Sequence, residues 1–310
     1  MNPPALPGLV VRADEPLAPR TTLRIGGPAR WLVEARTLAA LSAFRRWASE
    51  TGTRVLALGK GSNLLVPDEG FDGAVLVLAG EMTSYRLDGT TLVTSGGASL
   101  MALAVAARNA GLSGLEGLSG IPSTLGGAVR INAGAYGREI FDLLRDVTLV
   151  GADGAVRQVP AAGLRRGYRW TELCEADDLV AGASLLLEPA PREEVEARMR
   201  EVTEKRKRAL PVEPNAGSIF RNPPGEYAGR LLEACGLKGR RRGGAEVSGR
   251  HANVIVNLGG ATARDVRALM AGMSALVGLR FGVELVPEIV LVGGPLRDDE
   301  AAPLSVESTA

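Results

Sequence analysis

Apolar residues recur along the chain at two spacings, one typical of helices and one typical of strands. Leu38, Leu41, Phe44 and Ala48 share one helical face, and Gly52 ends the pattern. Comparable patterns predict helices at 37–52, 99–111, 192–208, 226–235 and 262–277. Short apolar runs predict strands at 55–58, 75–78, 147–150, 155–159, 179–187, 254–257 and 284–291. Because helices, strands and a hairpin at 151–154 are interleaved, we predict an α+β fold.

One segment, residues 111–137, is rich in glycine and apolar at the same time. Its glycines disfavour a continuous helix or strand, and its leucines and isoleucines disfavour a solvated linker. A buried loop whose backbone approaches a ligand explains both properties, although close packing of the protein against itself would do so as well.

Length and charge narrow the class of protein. The chain has 310 residues, which suggests two domains, and Pro211 and Pro214 mark the best candidate boundary. Lys+Arg number 36 and Asp+Glu 35, a net charge of +1. No overall field would therefore attract nucleic acid or an anionic membrane.

The rare residues exclude several kinds of site. His251 is the sole histidine and Cys174 and Cys235 are the two cysteines, so neither a multi-histidine site nor a four-thiolate cluster is available, and we expect no metal ion. The two cysteines favour free thiols in a reducing compartment. The N-terminus lacks a signal-like segment and no stretch of about 18 apolar residues occurs, so we expect a cytoplasmic protein without a membrane span.

A second glycine-rich loop, Gly59-Lys60-Gly61-Ser62-Asn63, follows the predicted strand at 55–58. It is neither a P-loop, because Gly61 follows the lysine, nor a dinucleotide fingerprint, because Leu64 stands where the third glycine belongs. Successive backbone N–H groups can still hold a diphosphate. A plain tight turn remains the alternative.

Three polar residues of the C-terminal half are candidates for chemistry. Ser218 follows Gly217 without the serine elbow of a hydrolase, so capping and catalysis are equally open. Glu288 lies within the predicted apolar strand 284–291, where burial would raise its pKa and favour a role in proton transfer. His251 is expected to be a structural, hydrogen-bonded residue.

The chain resembles the UDP-N-acetylenolpyruvoylglucosamine reductase family, also called the UDP-N-acetylmuramate dehydrogenase family. The motifs that carry the resemblance follow one another in order from about residue 20 to 293. They are TLRIGGPA at 22–29, GKGSNLLV at 59–66, GLEGLSGIPSTLGGA at 114–128, NAGAYG at 132–137, Tyr168-Arg169, AGSIFRNP at 216–223, 248–257 and Pro287-Glu288. Without a clear insertion between Leu187 and Pro211 for an extra substrate-binding tyrosine, the chain resembles the shorter type of this family.

The resemblance implies a particular domain organisation. An FAD-binding domain of the p-cresol methylhydroxylase/vanillyl-alcohol oxidase type is expected at 21–210, in subdomains at about 21–72 and 73–210. A smaller α+β domain that binds the UDP-sugar is expected at 211–294. We expect an N-terminal arm at 1–20 and a disordered tail at 295–310.

The resemblance also implies an activity of peptidoglycan precursor synthesis. NADPH would reduce non-covalently bound FAD, and flavin N5 would deliver hydride to C3 of the enolpyruvyl group of UDP-N-acetylenolpyruvoylglucosamine, giving UDP-N-acetylmuramate. Ser218 would donate the proton to C2, and Arg169 and Glu288 would stabilise the charge that develops there. We expect a monomer with these two small-molecule partners.

The resemblance assigns two further sets of residues. Those expected to bind FAD are Gly26, Gly59, Lys60, Gly61, Ser62, Asn63, Gly120, Ile121, Pro122, Ser123, Gly126, Gly127 and Ala128. Those expected to bind the substrate are Tyr168, Gly217, Arg221 and Asn222, with the basic cluster 205–208 as a further candidate for the diphosphate.

Two alternatives belong to other functional classes. An FAD-dependent sugar or alcohol oxidase of the same superfamily would share the fold, but residues 1–250 contain no histidine for covalent flavin attachment. A non-catalytic nucleotide-sugar-binding protein would keep the loops without needing Arg169, Ser218 and Glu288 together.

Overall fold

The computed structural model describes residues 2–297 and Glu300. The described strands are β1 (Leu9–Pro16), β2 (Pro28–Ala35), β3 (Val55–Ala57), β4 (Leu64–Leu65), β5 (Phe71–Leu78), β6 (Tyr85–Asp88), β7 (Thr91–Ser95), β8 (Leu112–Ser113), β9 (Gly134–Ala135), β10 (Arg138–Glu139), β11 (Leu144–Val150), β12 (Val156–Pro160), β13 (Arg166–Gly167), β14 (Trp170–Thr171), β15 (Leu179–Leu186), β16 (Glu188–Pro189), β17 (Arg241–Arg242), β18 (Ala245–Val247), β19 (Ile255–Asn257) and β20 (Val290–Leu291).

The described α-helices are α1 (Leu38–Glu50), α2 (Leu100–Asn109), α3 (Leu125–Arg130), α4 (Arg192–Ala209), α5 (Ala228–Ala234) and α6 (Ala263–Phe281). Five of them were predicted. Thr37 caps α1 by accepting a hydrogen bond from the Ala40 amide, and Thr262 and Asp265 form a capping box at α6. None of the described helices is both long and apolar enough to cross a bilayer.

The chain forms two compact units that are not continuous in sequence. Unit 1 comprises residues 1–15, 29–60 and 72–206, and unit 2 comprises 16–28, 61–71 and 207–310. The division at 206/207 lies close to the predicted boundary at Pro211. The segments 16–28 and 61–71 belong with unit 2 because β4 pairs in parallel with β20 and because the Thr22 hydroxyl donates to the Asn215 carbonyl.

Among its described residues, unit 1 contains two larger sheets and three two-stranded ones, β9-β10, β13-β14 and β8-β16. In the five-stranded sheet the order is β12-β11-β15-β7-β6 and every neighbouring pair is antiparallel, with Asp146 opposite Pro160 in the predicted hairpin β11–β12. Its core is filled by α2, α3 and α4, for example by Leu103, Leu125 and Met199. The four-stranded sheet, β1-β2-β5-β3, packs against Phe44 of α1.

Unit 2 has its own core, built by α5 and α6 over the small sheet β17-β18-β19. Leu231, Leu269 and Val247 are buried there. Leu23 and Ile25 of the segment 16–28 and Leu65 of the segment 61–71 are buried in the same core. This burial explains why both segments belong to unit 2 although the sequence around them belongs to unit 1.

Four predictions of local structure need correction. Part of the expected arm forms β1, because residues 9–16 pair with β2. The segment 111–137 contains α3, since Leu125, Ala128 and Val129 are all buried on a short helix despite their glycine neighbours. The strand expected at 284–291 reduces to β20, because Pro287 donates no N–H and Phe220 forms an isolated bridge with it. The strand expected at 75–78 begins earlier, at Phe71.

The expected tail falls largely on residues 298, 299 and 301–310, which lie outside the described part of the chain. The described residues before them are held in place. Arg267 donates hydrogen bonds to the carbonyls of Gly294 and Pro295 and pairs with Glu300 at 2.9 Å.

Candidate functional site

The loop Gly59–Asn63 has the geometry of an anion-binding turn. Gly61 has a φ of +61°, and a Cβ there would collide with the carbonyl of Arg20, so glycine is required at this position. Among the described residues, the N–H groups of Gly59, Lys60 and Gly61 donate to no acceptor of the protein. Three successive N–H groups without partners fit a phosphate ligand.

The second predicted cofactor loop, 120–128, lies beside Gly59, the first residue of the other loop, within unit 1. Thr124 caps α3, and a Cβ on Gly59 would lie 2.6 Å from its hydroxyl oxygen. Gly120, Ile121 and Ser123 are half-buried, and Pro122 and Gly127 are exposed. Two loops predicted independently from the sequence are therefore neighbours, as binding of one elongated cofactor requires.

Not every predicted cofactor residue needs a ligand to explain it. A Cβ on Gly126 would lie 3.0 Å from the carbonyl oxygen of Val180 and 3.1 Å from that of Gly96, both backbone atoms. Gly26, with a φ of +136°, would place a Cβ 2.8 Å from that of Val66. Ala128 is fully buried in the core. At these three positions close packing decides the residue type.

Tyr168 and Arg169 form the two-residue turn between β13 and β14. Arg169 has a φ of +55°, which is uncommon for any residue other than glycine and is typical of tight two-residue hairpin turns. Its guanidinium donates to the carbonyl of Gly134 at 2.5 Å and lies 4.9 Å from the Tyr168 ring centroid. The turn thus presents a cation whose direction is set by the backbone.

A buried asparagine that the sequence analysis did not single out holds this turn. Asn132 has no exposed surface, and its amide donates to the carbonyl of Gly167 at 3.1 Å and to Glu139 at 2.7 Å. Its side-chain oxygen accepts from the Phe141 amide. Two signals in the sequence could have identified it, namely its place at the start of the motif NAGAYG and its polar side chain between Ile131 and Ala133.

Ser218 lies in unit 2 on a short extended segment that is hydrogen-bonded on both sides. Next to it, Ile219 donates to the carbonyl of Asn253 at 2.9 Å and accepts from the Glu288 amide at 2.8 Å. The side chain of Asn253 bonds both backbone groups of Phe220. The Ser218 hydroxyl itself makes no hydrogen bond with any described residue, so it is available to a ligand.

Glu288 is brought next to this segment through its backbone. Its amide bonds Ile219, and its carbonyl accepts from the side chain of Asn63 at 3.1 Å. The side chain is half-buried and lies outside every described strand, so the strand that was expected to contain it is absent, whereas its desolvation remains a prediction. Ser218 and Glu288 belong to unit 2, whereas Arg169 belongs to unit 1.

The predicted substrate residues of unit 2 divide into two kinds. Arg221 has a buried Nε without a partner among the described residues, a costly arrangement unless a ligand supplies an acceptor. Asn222 accepts from the Ala228 amide at the start of α5, which gives its side chain a structural role. Gly217 needs glycine for its φ of +74° and has open space around it.

His251 is structural, as expected. Its Nδ1 accepts from the Asn253 amide at 3.2 Å, and burial lowers the pKa of the imidazole. It therefore supports the residue that aligns Phe220. Both cysteines are free thiols.

Unit 2 also contains a cavity of about 860 Å³ beside the start of α6. Its lining is strongly charged and includes Asp68, Arg242, Arg264, Arg267 and Glu300. Asp68 accepts hydrogen bonds from the first amides of α6, and Arg267 pairs with Glu300, so three of these five charges have partners within the unit. No residue expected to bind FAD or substrate lines this cavity.

Two family profiles match the chain. The profile described as "FAD binding domain" matches residues 29–159, and the profile described as "UDP-N-acetylenolpyruvoylglucosamine reductase, C-terminal domain" matches residues 208–292. The first covers the loops 59–63 and 120–128, and the second covers Ser218 and Glu288.

Named relatives are similar over nearly the whole chain. The UDP-N-acetylenolpyruvoylglucosamine reductase 2 of Symbiobacterium thermophilum is 45% identical over 288 residues, 93% of this chain and 93% of that protein. The reductase of Anaeromyxobacter dehalogenans strain 2CP-C is 47% identical over 281 residues, 90% of this chain and 85% of that protein. The crystal structure of the reductase (MurB) from Thermus caldophilus is 40% identical, covers 91% of this chain and 98% of that chain, and superposes with a TM-score of 0.79.

The α+β fold, the cofactor loops and the FAD-domain match define an FAD-dependent oxidoreductase. The expected FAD-binding domain and the expected fold class are thereby confirmed. The chain belongs to the UDP-N-acetylenolpyruvoylglucosamine reductase family.

The packing difference between Gly126 and Gly127 yields a prediction. Gly126→Val forces a side chain against two backbone carbonyls, so we expect it to cost about 1–3 kcal/mol in folding free energy, typical of overpacking. At the exposed Gly127 a Cβ meets only the hydroxyls of Ser123 and Thr124, at 3.2 and 3.5 Å. We expect Gly127→Val to lose FAD while the apoprotein keeps its melting temperature. Thermal unfolding of both apoproteins and their flavin content after reconstitution measure the difference. Normal flavin content in folded Gly127→Val protein would contradict this placement of the cofactor.

Proposed function

We propose that this protein reduces the enolpyruvyl group of UDP-N-acetylenolpyruvoylglucosamine with electrons from NADPH, giving UDP-N-acetylmuramate. The observation that carries the proposal is the Ser218 hydroxyl, which has no partner among the described residues although the backbone of the next residue, Ile219, is fixed against Asn253 and Glu288. Membership of the reductase family supplies the substrate class.

Backbone groups of the loops 59–63 and 120–128 fit the phosphates of FAD. The N–H groups of Gly59, Lys60 and Gly61 have no described partner in the protein, and Gly127 leaves room for close approach. FAD, when bound, would take hydride from NADPH and supply hydride to C3 of the enolpyruvyl group.

Hydride addition at C3 leaves negative charge at C2 that spreads onto the adjacent carboxylate. Arg169 is the cation that we assign to this charge, because its guanidinium is directed by a strained backbone and by the Gly134 carbonyl. Glu288, as a hydrogen-bonding acid, would stabilise the same enolate-like state. Such oriented groups lower the barrier because they need no reorganisation during the reaction.

Ser218 is the group that we assign to proton transfer to C2. A serine is a weak acid, so it serves only where the acceptor carbon is strongly basic and the geometry is fixed. Hydrogen bonds on both sides of Ile219 and Phe220 supply that fixed geometry. One proton and one hydride complete the reduction of the double bond.

Substrate binding is assigned to Tyr168, Gly217, Arg221 and Asn222. Tyr168 is 48% exposed and can offer its ring and phenol to a ligand. Arg221 offers a guanidinium whose Nε lacks an acceptor, which suits a diphosphate. Asn222 would contribute mainly by holding the start of α5, where its side chain accepts a hydrogen bond from the Ala228 amide.

The first experiment is a visible spectrum of the purified protein, followed by anaerobic addition of NADPH and then of the enolpyruvyl sugar. Bound flavin that bleaches with NADPH and recovers with the sugar supports the proposal. A protein that takes up no FAD would reject it, and recovery with oxygen and an alcohol or free sugar alone would favour an oxidase. The monomeric state, the cytoplasmic location and the predicted domain ranges remain predictions.

Ser218→Ala should separate the two half-reactions. We expect FAD binding and flavin reduction by NADPH to stay nearly normal, whereas reoxidation by the enolpyruvyl sugar should slow by about 100-fold or more, typical of losing a general acid. Ser218→Cys should recover part of the rate. Stopped-flow flavin absorbance measures both steps, and Ser274→Ala in α6 is the control. Equal slowing of both half-reactions would show that Ser218 organises the site and does not donate the proton.

Arg221→Ala should selectively weaken binding of the sugar nucleotide. We expect a rise in its KM of about 10-fold or more, as for loss of a charged hydrogen bond, with little change in the KM for NADPH. Arg264→Ala removes an exposed arginine of the same unit and is the matched control. Equal effects on both substrates would make Arg221 a structural residue.

A further inference from the structure

The end of α4 carries several cations, and one of them differs from its neighbours. Lys205 is exposed and pairs with Glu201 at 2.6 Å. Arg206 is half-buried, and it makes no ion pair or hydrogen bond with any described residue. The favourable position of basic residues at a helix end explains a solvated cation, but it does not explain a desolvated one.

Arg206 lies against the predicted cofactor loop within unit 1. A Cβ on Gly120 would lie 3.1 Å from Arg206 Cδ and 3.9 Å from its Nε, so glycine at 120 leaves room for this side chain. Val202, one turn earlier on α4, contacts the same position at 3.6 Å. The guanidinium is thus held near Gly120 by packing, and no carboxylate in the described part of the chain pairs with it.

The charged groups around Arg206 give it no compensation. Burial lowers the pKa of its guanidinium, and the one group that acts in the opposite direction is the phenol of Tyr136, which is not a carboxylate. The acid on the neighbouring turn, Glu201, is engaged by Lys205. The guanidinium is partly desolvated and charged, and no described residue supplies an anion to it. We therefore expect a ligand to supply the anion.

Tyr136 adds a second unusual feature nearby. It forms the turn between β9 and β10 with Gly137, and its φ is +53°, a conformation that favours glycine or asparagine. Its side chain is nevertheless 48% exposed, and its Cβ lies 3.8 Å from a Cβ placed on Gly117. An exposed aromatic ring on a strained turn, near an arginine that no described residue pairs with, is an arrangement that suits binding of a nucleotide.

We propose that Arg206 binds a phosphate group of one of the nucleotide ligands of this enzyme, with Tyr136 as its neighbour in the same subsite. This inference rests on the proposed function and deepens it, because it selects one residue of the basic cluster 205–208. The planar guanidinium matches a phosphate through two hydrogen bonds. The phosphate can come from FAD, from the sugar nucleotide or from NADPH, and the three arms of the experiment distinguish these sources.

The experiment compares Arg206→Met and Arg206→Lys with Arg200→Met, which removes an exposed, unpaired arginine of the same helix. The first arm measures the Kd of the apoprotein for FAD. The second measures the inhibition constant of UDP, which carries the diphosphate without the sugar or the enolpyruvyl carboxylate. The third measures the ratio of kcat/KM for NADPH to that for NADH. Wild-type half-reactions in the same assay test the proposed function separately.

We expect Arg206→Met to weaken FAD binding, UDP binding or the preference for NADPH over NADH by about 10- to 100-fold, as for loss of a charge-assisted hydrogen bond. Arg206→Lys should recover part of the loss. Arg200→Met should match the wild type, and all three variants should keep the wild-type melting temperature within a few degrees. If Arg206→Met behaves like Arg200→Met in every arm, the proposal is wrong. A loss of kcat or of thermal stability, with all three ligand constants unchanged, would equally overturn it in favour of a structural role.

Discussion

Close approach of one backbone stretch to another is the constraint on which the structure depends. At Gly96 and Gly126 a side chain would meet the carbonyl of Val180, and at Gly61 it would meet the backbone of Arg20. These contacts bring loops against strands at distances that any Cβ would prevent. Glycine at these positions is therefore a packing requirement, and the ligand-binding capacity of the loop 59–63 follows from the backbone groups that this packing leaves unpaired.

The hydrogen-bond acceptors around the buried arginines distinguish structural residues from candidate binding residues. Arg45 and Arg130 donate to backbone carbonyls, including those of Asp177 and Asp178, and thereby fix a segment of unit 1. Arg45 and Arg221 both have a buried Nε without a hydrogen-bond partner among the described residues, but Arg45 also pairs with Asp177 at 3.0 Å. No described residue supplies an acceptor to the guanidinium groups of Arg221 and Arg206, which are partly desolvated. Because an unpaired buried charge is costly, the second pair is where anionic ligands are expected.

The candidate catalytic residues share a mode of positioning that relies on the backbone. Ser218 is carried on a segment whose neighbours are bonded on both edges, and Arg169 is carried on a strained two-residue turn. Asn253 and Asn132 make the supporting hydrogen bonds from fully buried sites. A weak acid and a single cation act effectively only when their directions are set in advance, and these two asparagines supply that preorganisation.

The sequence by itself determined the local elements and the order of the motifs. The apolar period predicted α1 and α4 almost to the residue, and the turn at 151–154 predicted the hairpin β11–β12, because both depend on interactions between near neighbours. The resemblance identified the family and the fold class. Only the tertiary structure decided the position, packing and pairing of residues whose neighbours are distant in the sequence. Leu64–Leu65 joins unit 2 through β20, a packing contact accounts for Gly126, and Arg206 differs from Lys205 only through what lies beside it. Burial and pairing of a side chain depend on residues far away in the chain, and no local pattern encodes them.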